Sequence, residues 1–155
     1  MLLDMKRRVS ARAIIEHEGK ILLVQLKPYP GSIVLDEPYW CTIGGGIDEG
    51  ESLVPALKRE VMEETGVQAK VGNLLYIQQF VNSDKEQMEL FFHVTNTQDF
   101  MDIDLSKASH AEEEIERIEF VDPKSAHILP KFLSEVNIAE DIATQSPTKI
   151  FSYIP

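Results

Sequence analysis

The stretch Gly44-Gly45-Gly46-Ile47-Asp48-Glu49-Gly50-Glu51, continued through Ser52 to Arg59-Glu60-Val61-Met62-Glu63-Glu64-Thr65-Gly66-Val67, decides how the rest of the chain is read. It is a glycine-rich loop, then a short helix, then a glycine stop. Ser52 suits an N-cap, and Pro55 falls in the first turn, where a missing N–H does no harm. Gly66 suits the left-handed residue that closes a helix. The spacing predicts a helix over Leu53 to Thr65.

That helix carries an anomaly. At about 100° per residue, Leu53, Leu57 and Val61 form an apolar stripe, and Glu60 and Glu64 project into the same stripe. Glu63 lies roughly 60° to one side of Glu60. An acidic helix face is most often a solvated one. Carboxylates turned toward the body of a protein instead need partners, because unpaired buried charge is costly and like charges raise one another's pKa. Arg59 points elsewhere and cannot serve all three. A hard divalent cation, Mg²⁺ or Mn²⁺, takes oxygen ligands and meets both needs.

Gly45, Glu51, Arg59-Glu60-Val61, Glu63-Glu64 and Gly66-Val67 together resemble the complete box of the Nudix hydrolases. Nine positions match over 23 residues at fixed spacing, about a seventh of the chain, which is far more specific than a lone glycine loop. Ile43 stands where the family usually has a proline, a departure that touches the turn and removes no ligand. The resemblance implies an α/β fold: an α/β/α sandwich with a mixed β-sheet and the box as a loop-helix-loop. Pattern reading alone gives a mixed α/β chain with hairpins.

The resemblance also implies a chemistry, metal-dependent hydrolysis of the diphosphate linkage in a nucleoside diphosphate joined to a further group X. Mg²⁺, or Mn²⁺ in its place, is the implied cofactor. Glu60 and Glu64 are the implied core ligands and Glu63 a third, with the carbonyl of Gly45 or of neighbouring Gly44 completing the sphere. Glycine lets the main chain approach an ion closely. Glu51 and Arg59 belong to the implied site in another capacity: they pair and hold the loop on the helix, Arg59 fixing Glu51 or Glu64. One of Glu112, Glu113 or Glu114 is implied as an extra ligand or as the general base, the rest of that run being solvated. The base is otherwise a box glutamate. A small nucleotide is the implied partner, nucleoside triphosphates being preferred in the MutT manner. Oxidised nucleotides, nucleotide sugars, ADP-ribose and dinucleoside polyphosphates stay open. Dimers are frequent in the family, so a homodimer is compatible.

Competing readings are a nucleotide sensor without turnover, which a box lacking glutamates would signal, and an acidic helix with no chemical role, which the glycine loop disfavours. An isomerase variant needs further catalytic cysteine and glutamate positions, and Cys41 offers no match.

The composition agrees. The 155 residues, 43% hydrophobic and 26% charged, suit one soluble globular domain, 1–155, with 1–7 and 146–155 as terminal extensions. The single Cys41 excludes an internal disulfide and fits a reducing cytoplasm. The first eight residues lack the long apolar core of a signal peptide, and no run reaches membrane-span length. A net charge of −11 disfavours broad binding to nucleic acid or anionic lipid. An anionic polyphosphate would need metal and local basic groups, so charge and glutamate cluster point to the same cofactor.

Along the chain, residues 1–6 read as frayed, and 9–17 and 21–26 as the strands of a hairpin turning at Glu18-Gly19-Lys20. Arg12 is a surface strand charge or a phosphate contact, the former preferred. Residues 27–38 hold three prolines and form a long loop, a pocket wall or an insertion, with Lys27 a candidate phosphate ligand. A short strand, 39–43, carries Trp40, read as core packing rather than base stacking. Strands follow at 68–82, broken near Gly72-Asn73, and at 88–97, where His93 is structural. Residues 98–109 are polar and irregular, and 115–121 is a strand. A helical turn at 123–127 and a helix over 130–143 pack on the sheet. The apolar tail 149–155 is an edge strand or a cover for a partner subunit. No internal repeat is visible.

Overall fold

The computed structural model describes residues 5–28, 38–104, 107–108 and 111–154, with the side chains of Ala111 and Glu112 outside that description. Most of the 27–38 loop, residues 1–4 and part of 98–109 therefore lie outside the described residues.

The chain runs β1 (Lys6–Ile14), β2 (Glu16–His17), β3 (Lys20–Leu26), β4 (Trp40–Thr42), β5 (Gly44–Gly46), α1 (Leu53–Thr65), β6 (Val71–Asn82), β7 (Lys85–Val94), α2 (Ala111–Glu114), β8 (Ile115–Val121), β9 (Ile128–Leu129), α3 (Ile138–Ala143) and β10 (Lys149–Ser152). The strands divide between two mixed sheets. One has the order β10-β6-β7-β1-β5; the other has β2-β3-β4-β9, with β8 also paired to β3. The pairs β1–β7, β10–β6 and β4–β9 are parallel and the rest antiparallel.

Alternation along the strands builds two cores, one on each side of this β layer. On β3, Leu22 and Val24 face one core while Ile21 and Leu23 face the other; on β1, Ala11 and Ala13 oppose Ile14. Both faces are covered, so β3 reads as an unbroken apolar run. Leu57 and Val61 of α1 close the first core, and Phe132, Leu133 and Ile138 close the second. This is the expected α/β/α arrangement.

Helix α1 has the predicted ends. Gly66 is left-handed, at φ 74°, and its N–H returns to the Met62 carbonyl. Ser52 holds the N-cap position without a side-chain cap bond; its carbonyl accepts the Ala56 N–H at 3.0 Å. Leu53 does not join the buried stripe and is 38% exposed.

Three expectations are corrected. The strand 9–17 is not one strand, because β1 ends at Ile14 and the chain crosses at Ile15 to the second sheet, where only β2 completes the hairpin with β3. The single helix 130–143 is two pieces. A 3-10 turn at Lys131–Ser134 precedes α3, whose N-cap Asn137 accepts the Glu140 N–H, and that extended cap residue interrupts the helical path. The glycine loop is in part a strand: β5 pairs with β1 in the register Ser10–Gly46, Ala11–Gly45 and Arg12–Gly44.

Other expectations stand. Strand β6 has register shifts between Val71 and Tyr76, around Gly72-Asn73. Trp40 is 8% exposed and packs in the second core. The tail supplies β10 at the edge of the first sheet. Among the described residues no helix is long and apolar enough to cross a membrane.

Candidate active site

Strand β5 and helix α1 meet at a cleft of about 460 Å³, lined among others by Gly44, Gly45, Gly46, Glu60 and Glu64. The glycines are a steric necessity here. Gly44 has φ +135°, and a Cβ on it would stand 2.2 Å from the Ala11 carbonyl oxygen of β1. A Cβ on Gly45 would stand 2.7 Å from the Glu60 carboxyl carbon. Backbone and carboxylate occupy the volume that side chains would need.

Glu64 is only 7% exposed. Its Oε2 accepts the Gly44 N–H at 2.9 Å, so the loop backbone fixes the carboxyl on the helix. Burial pushes its pKa up to about 8; the Gly44 N–H and Arg12 oppose the rise, while Glu60 and Glu114 add to it.

Arg59 does not point away from the glutamates, as the helix spacing suggests, but gathers three of them. Its Nε and Nη2 donate to the two oxygens of Glu51 at 2.8 and 2.9 Å, a bidentate pair. Its Nη1 donates to Glu60 at 3.0 Å and lies 3.3 Å from Glu63. Glu51 Oε1 also accepts the Asp48 N–H at 3.1 Å, which closes the 48–51 turn. The Arg59 hydrogen bond, then that N–H, hold Glu51 down at about 2. Arg59 thus serves Glu51, Glu60 and Glu63, and leaves Glu64 to Gly44.

Arg12 corrects the preferred surface reading. It sits on β1 with its side chain 19% exposed. Nη1 donates to the Gly44 carbonyl at 2.9 Å and Nε to Glu89 at 2.8 Å. Burial opposes its charge, but Glu89, Cys41 and Glu64 together outweigh that and its pKa rises. Arg12, Arg8 and Lys27 all line the cleft, the local basic groups that an anionic ligand needs. Arg8 was legible only through strand alternation, since residues 8 and 12 share a face.

Glu113 and Glu114 also line the cleft, whereas Glu63 is not among its lining residues. The Glu112 side chain lies outside the described residues. His93 lines neither this cleft nor the adjoining cavity described below. Burial pushes the Cys41 thiol up to about 11, which leaves it a poor nucleophile.

Among the described residues no three Asp, Glu, His or Cys side chains are already drawn together as a ligand set. Arg59 holds Glu60 and Glu63, and Gly44 holds Glu64. The donors do fit a hard divalent cation. Carboxylates from successive turns of α1 face one cleft beside glycine backbone, every donor is an oxygen, and among the described residues no cationic side chain bonds the buried Glu64.

A family model described as the NUDIX domain matches residues 6–141. Diphosphoinositol polyphosphate phosphohydrolase 2 of Rattus norvegicus is 36% identical over 83 residues, 54% of this chain and 41% of that protein. An ADP-ribose pyrophosphatase of Methanocaldococcus jannaschii is 39% identical over 69 residues, 43% of this chain and 37% of that protein. The matched stretch thus spans less than half the length of these relatives. The crystal structure of a MutT protein from Methanosarcina mazei Go1 superposes with a TM-score of 0.68 at 22% identity, over 93% of this chain and 99% of that one, which shows a shared fold.

Proposed function

Since this chain belongs to the NUDIX family, we propose that it is a metal-dependent pyrophosphohydrolase that cleaves the diphosphate linkage of a nucleoside diphosphate derivative, with nucleoside triphosphates preferred. The observation that carries the reading is the buried Glu64, tied to the Gly44 N–H in a cleft that also holds Glu60, Arg8, Arg12 and Lys27. Acidic and basic groups face each other across one cavity, as hydrolysis of an anionic anhydride requires.

Glu60, Glu64 and the Gly45 carbonyl would hold Mg²⁺ or Mn²⁺, with Glu63 as a further ligand. The bound ion supplies positive charge against the phosphate oxygens and acidifies the attacking water. The chain's own residues do the rest. Arg12, Arg8 and Lys27 orient the phosphates. Water adds to one phosphorus, the bridging P–O bond breaks, and the proton of the water passes to a carboxylate at the rim. Glu113 and Glu114 are candidates for that base, as are the box glutamates. Glu51 and Arg59 position the loop against α1 and do not touch the substrate. A reducing cytoplasm suits the single thiol.

The test is phosphate or pyrophosphate release from a panel of nucleoside di- and triphosphate derivatives, with Mg²⁺, with Mn²⁺ and with EDTA, on wild type and Glu64→Gln. The expected result is metal-dependent turnover that falls about 100-fold or more in the variant. Metal-dependent binding without turnover of any compound would instead favour a nucleotide sensor. Binding of neither metal nor nucleotide would overturn the assignment.

A further inference from the structure

A second cavity, of about 770 Å³, adjoins the cleft, and the two share Arg8, Arg12 and Leu26 in their walls. Where the cleft is lined by carboxylates and cations, this cavity presents the amides of Gln78, Asn82 and Gln87 and the rings of Tyr39, Phe80 and Tyr153. Amides donate and accept at once, and rings offer flat faces, so the lining suits a planar heterocycle with a mixed polar edge.

The charges narrow the ligand. Arg8, Arg12 and Lys131 face Glu89 and Glu135 around this cavity, and Arg12 is already paired with Glu89 at 2.8 Å. One net positive charge cannot serve a ring bearing many phosphates, which would require a cluster of arginines and lysines. A near-neutral ring fits.

Gln78 is 6% exposed. Its Nε2 donates to Glu89 Oε1 at 3.2 Å, while Glu89 Oε2 takes the Arg12 Nε. That chain of contacts fixes which way the amide points and leaves its carbonyl oxygen to accept. Among the described residues no donor meets that oxygen.

Tyr153 lies beyond residue 141, where the match to the family model ends. Its backbone N–H donates to the Gln79 carbonyl at 2.8 Å, continuing the β10–β6 ladder. Just before it, Phe151 stacks on Phe132 at 4.3 Å between ring centres, and Lys149 pairs with Asp141 at 2.7 Å. Asp141 in turn accepts the Tyr76 hydroxyl at 2.6 Å. The segment is anchored, yet Tyr153 is 57% exposed. Core packing does not explain that ring.

We propose that the second cavity seats the base of a nucleotide substrate, with Tyr153 of the C-terminal segment as its aromatic wall and Gln78 as an acceptor for the edge of the ring. The phosphate side of this proposal rests on the hydrolase reading above.

The experiment compares wild type, Tyr153→Ala and Tyr153→Phe, with melting curves to establish that each variant is folded. KM and kcat are measured with Mg²⁺ for ATP, GTP, CTP and UTP, together with inhibition by inorganic tripolyphosphate, which has the phosphates but no ring. For the best nucleotide, Tyr153→Ala should raise KM by roughly 5- to 150-fold, the range that base–aromatic stacking spans, with a much smaller change in kcat. Tripolyphosphate inhibition should not weaken in step, and Tyr153→Phe should restore the KM. Equal weakening of nucleotide and tripolyphosphate, or no change in KM, would overturn the proposal while leaving the hydrolase reading intact. If wild type hydrolyses none of the four, that reading fails separately, and calorimetric titration with the same nucleotides decides. Affinity lost in Tyr153→Ala and kept in Tyr153→Phe upholds the base seat; unchanged affinity, or no binding to wild type, overturns it.

Discussion

A single carboxyl shows how burial turns chemistry into stability. Glu64 sits at about 8 in the fold, against about 4.3 for a carboxylate in an unfolded chain. Between those values the unfolded chain has released the proton and the fold has kept it. The fold then binds more protons, so stability falls as pH rises through the window. Metal-free protein in EDTA should therefore lose stability between about pH 5 and about pH 8, on the order of a few kcal/mol from this group. Glu64→Gln should remove that part of the slope, and excess Mg²⁺ should flatten it in wild type. Urea midpoints across the window would show it; parallel slopes for wild type and variant would mean that Glu64 ionises freely in the fold. Ser10, on β1 between Arg8 and Arg12, is the opposite case. It is 0% exposed, and its Oγ has no hydrogen-bond partner among the described residues. An unsatisfied buried hydroxyl costs about 1–3 kcal/mol, so Ser10→Ala should hold or raise the denaturation midpoint. A loss of more than about 1 kcal/mol would reveal a partner for that hydroxyl.

Strand β5 is the element on which fold and site depend together, and its adjacent glycines do different work. An alanine at 44 would drive a Cβ into the backbone of β1 at a φ that L residues rarely adopt, and backbone cannot step aside. Gly44→Ala should cost more than about 2 kcal/mol of stability. An alanine at 45 meets the end of a flexible side chain, the Glu60 carboxylate. Gly45→Ala should fold with a loss near 1 kcal/mol and lose turnover about 100-fold, because a ligand displaced by an ångström is misplaced for the chemistry. Equal effects of the two on melting temperature would refute this division. Helix α1 was legible to the residue because its signals are local: a proline in the first turn, a glycine stop and apolar spacing all lie inside one stretch. The same signals put Glu60 and Glu64 on the buried side. The split at residues 130–143 was misread because Phe132, Leu133 and Ile138 are buried by the second core whether or not the segment is one helix, so periodicity could not separate the cases. Arg12, Arg8 and the second cavity were harder still. Arg12 depends on Glu89, 77 residues away, and nothing local announces such a partner.

At the scale of the whole molecule, the two cores are closed by segments far apart in the chain, and the C-terminal segment is the last to close the second. A ladder, a ring stack and an ion pair are among the contacts that tie it down. Strand β10 adds a parallel ladder to β6 from Lys149 to Ser152. Phe151 stacks between the segment and Phe132, a ring that also meets Phe91 edge-on. Lys149 neutralises Asp141, which is 5% exposed and shares its carboxylate with Tyr76; these bonds hold the Asp141 pKa down against burial. Deleting residues 148–155 would strip an aromatic side chain from the core, worth about 1.5–3 kcal/mol. It would also leave a buried carboxylate without its cation, a further cost of the same order tempered because Lys149 is 45% exposed. The truncated chain should lose about 3 kcal/mol or more, which for a domain of this size lowers the melting temperature by roughly 10 °C. It should also bare the β6 edge, a row of unpaired backbone groups that invites pairing with another chain. Light scattering should then find larger species whose amount grows with concentration, although the glutamates of α1 and their cleft are untouched by the cut. Unchanged melting and unchanged mass would mean that β10 is a passenger on the sheet, and that the second core is closed by α3 and the turn before it alone.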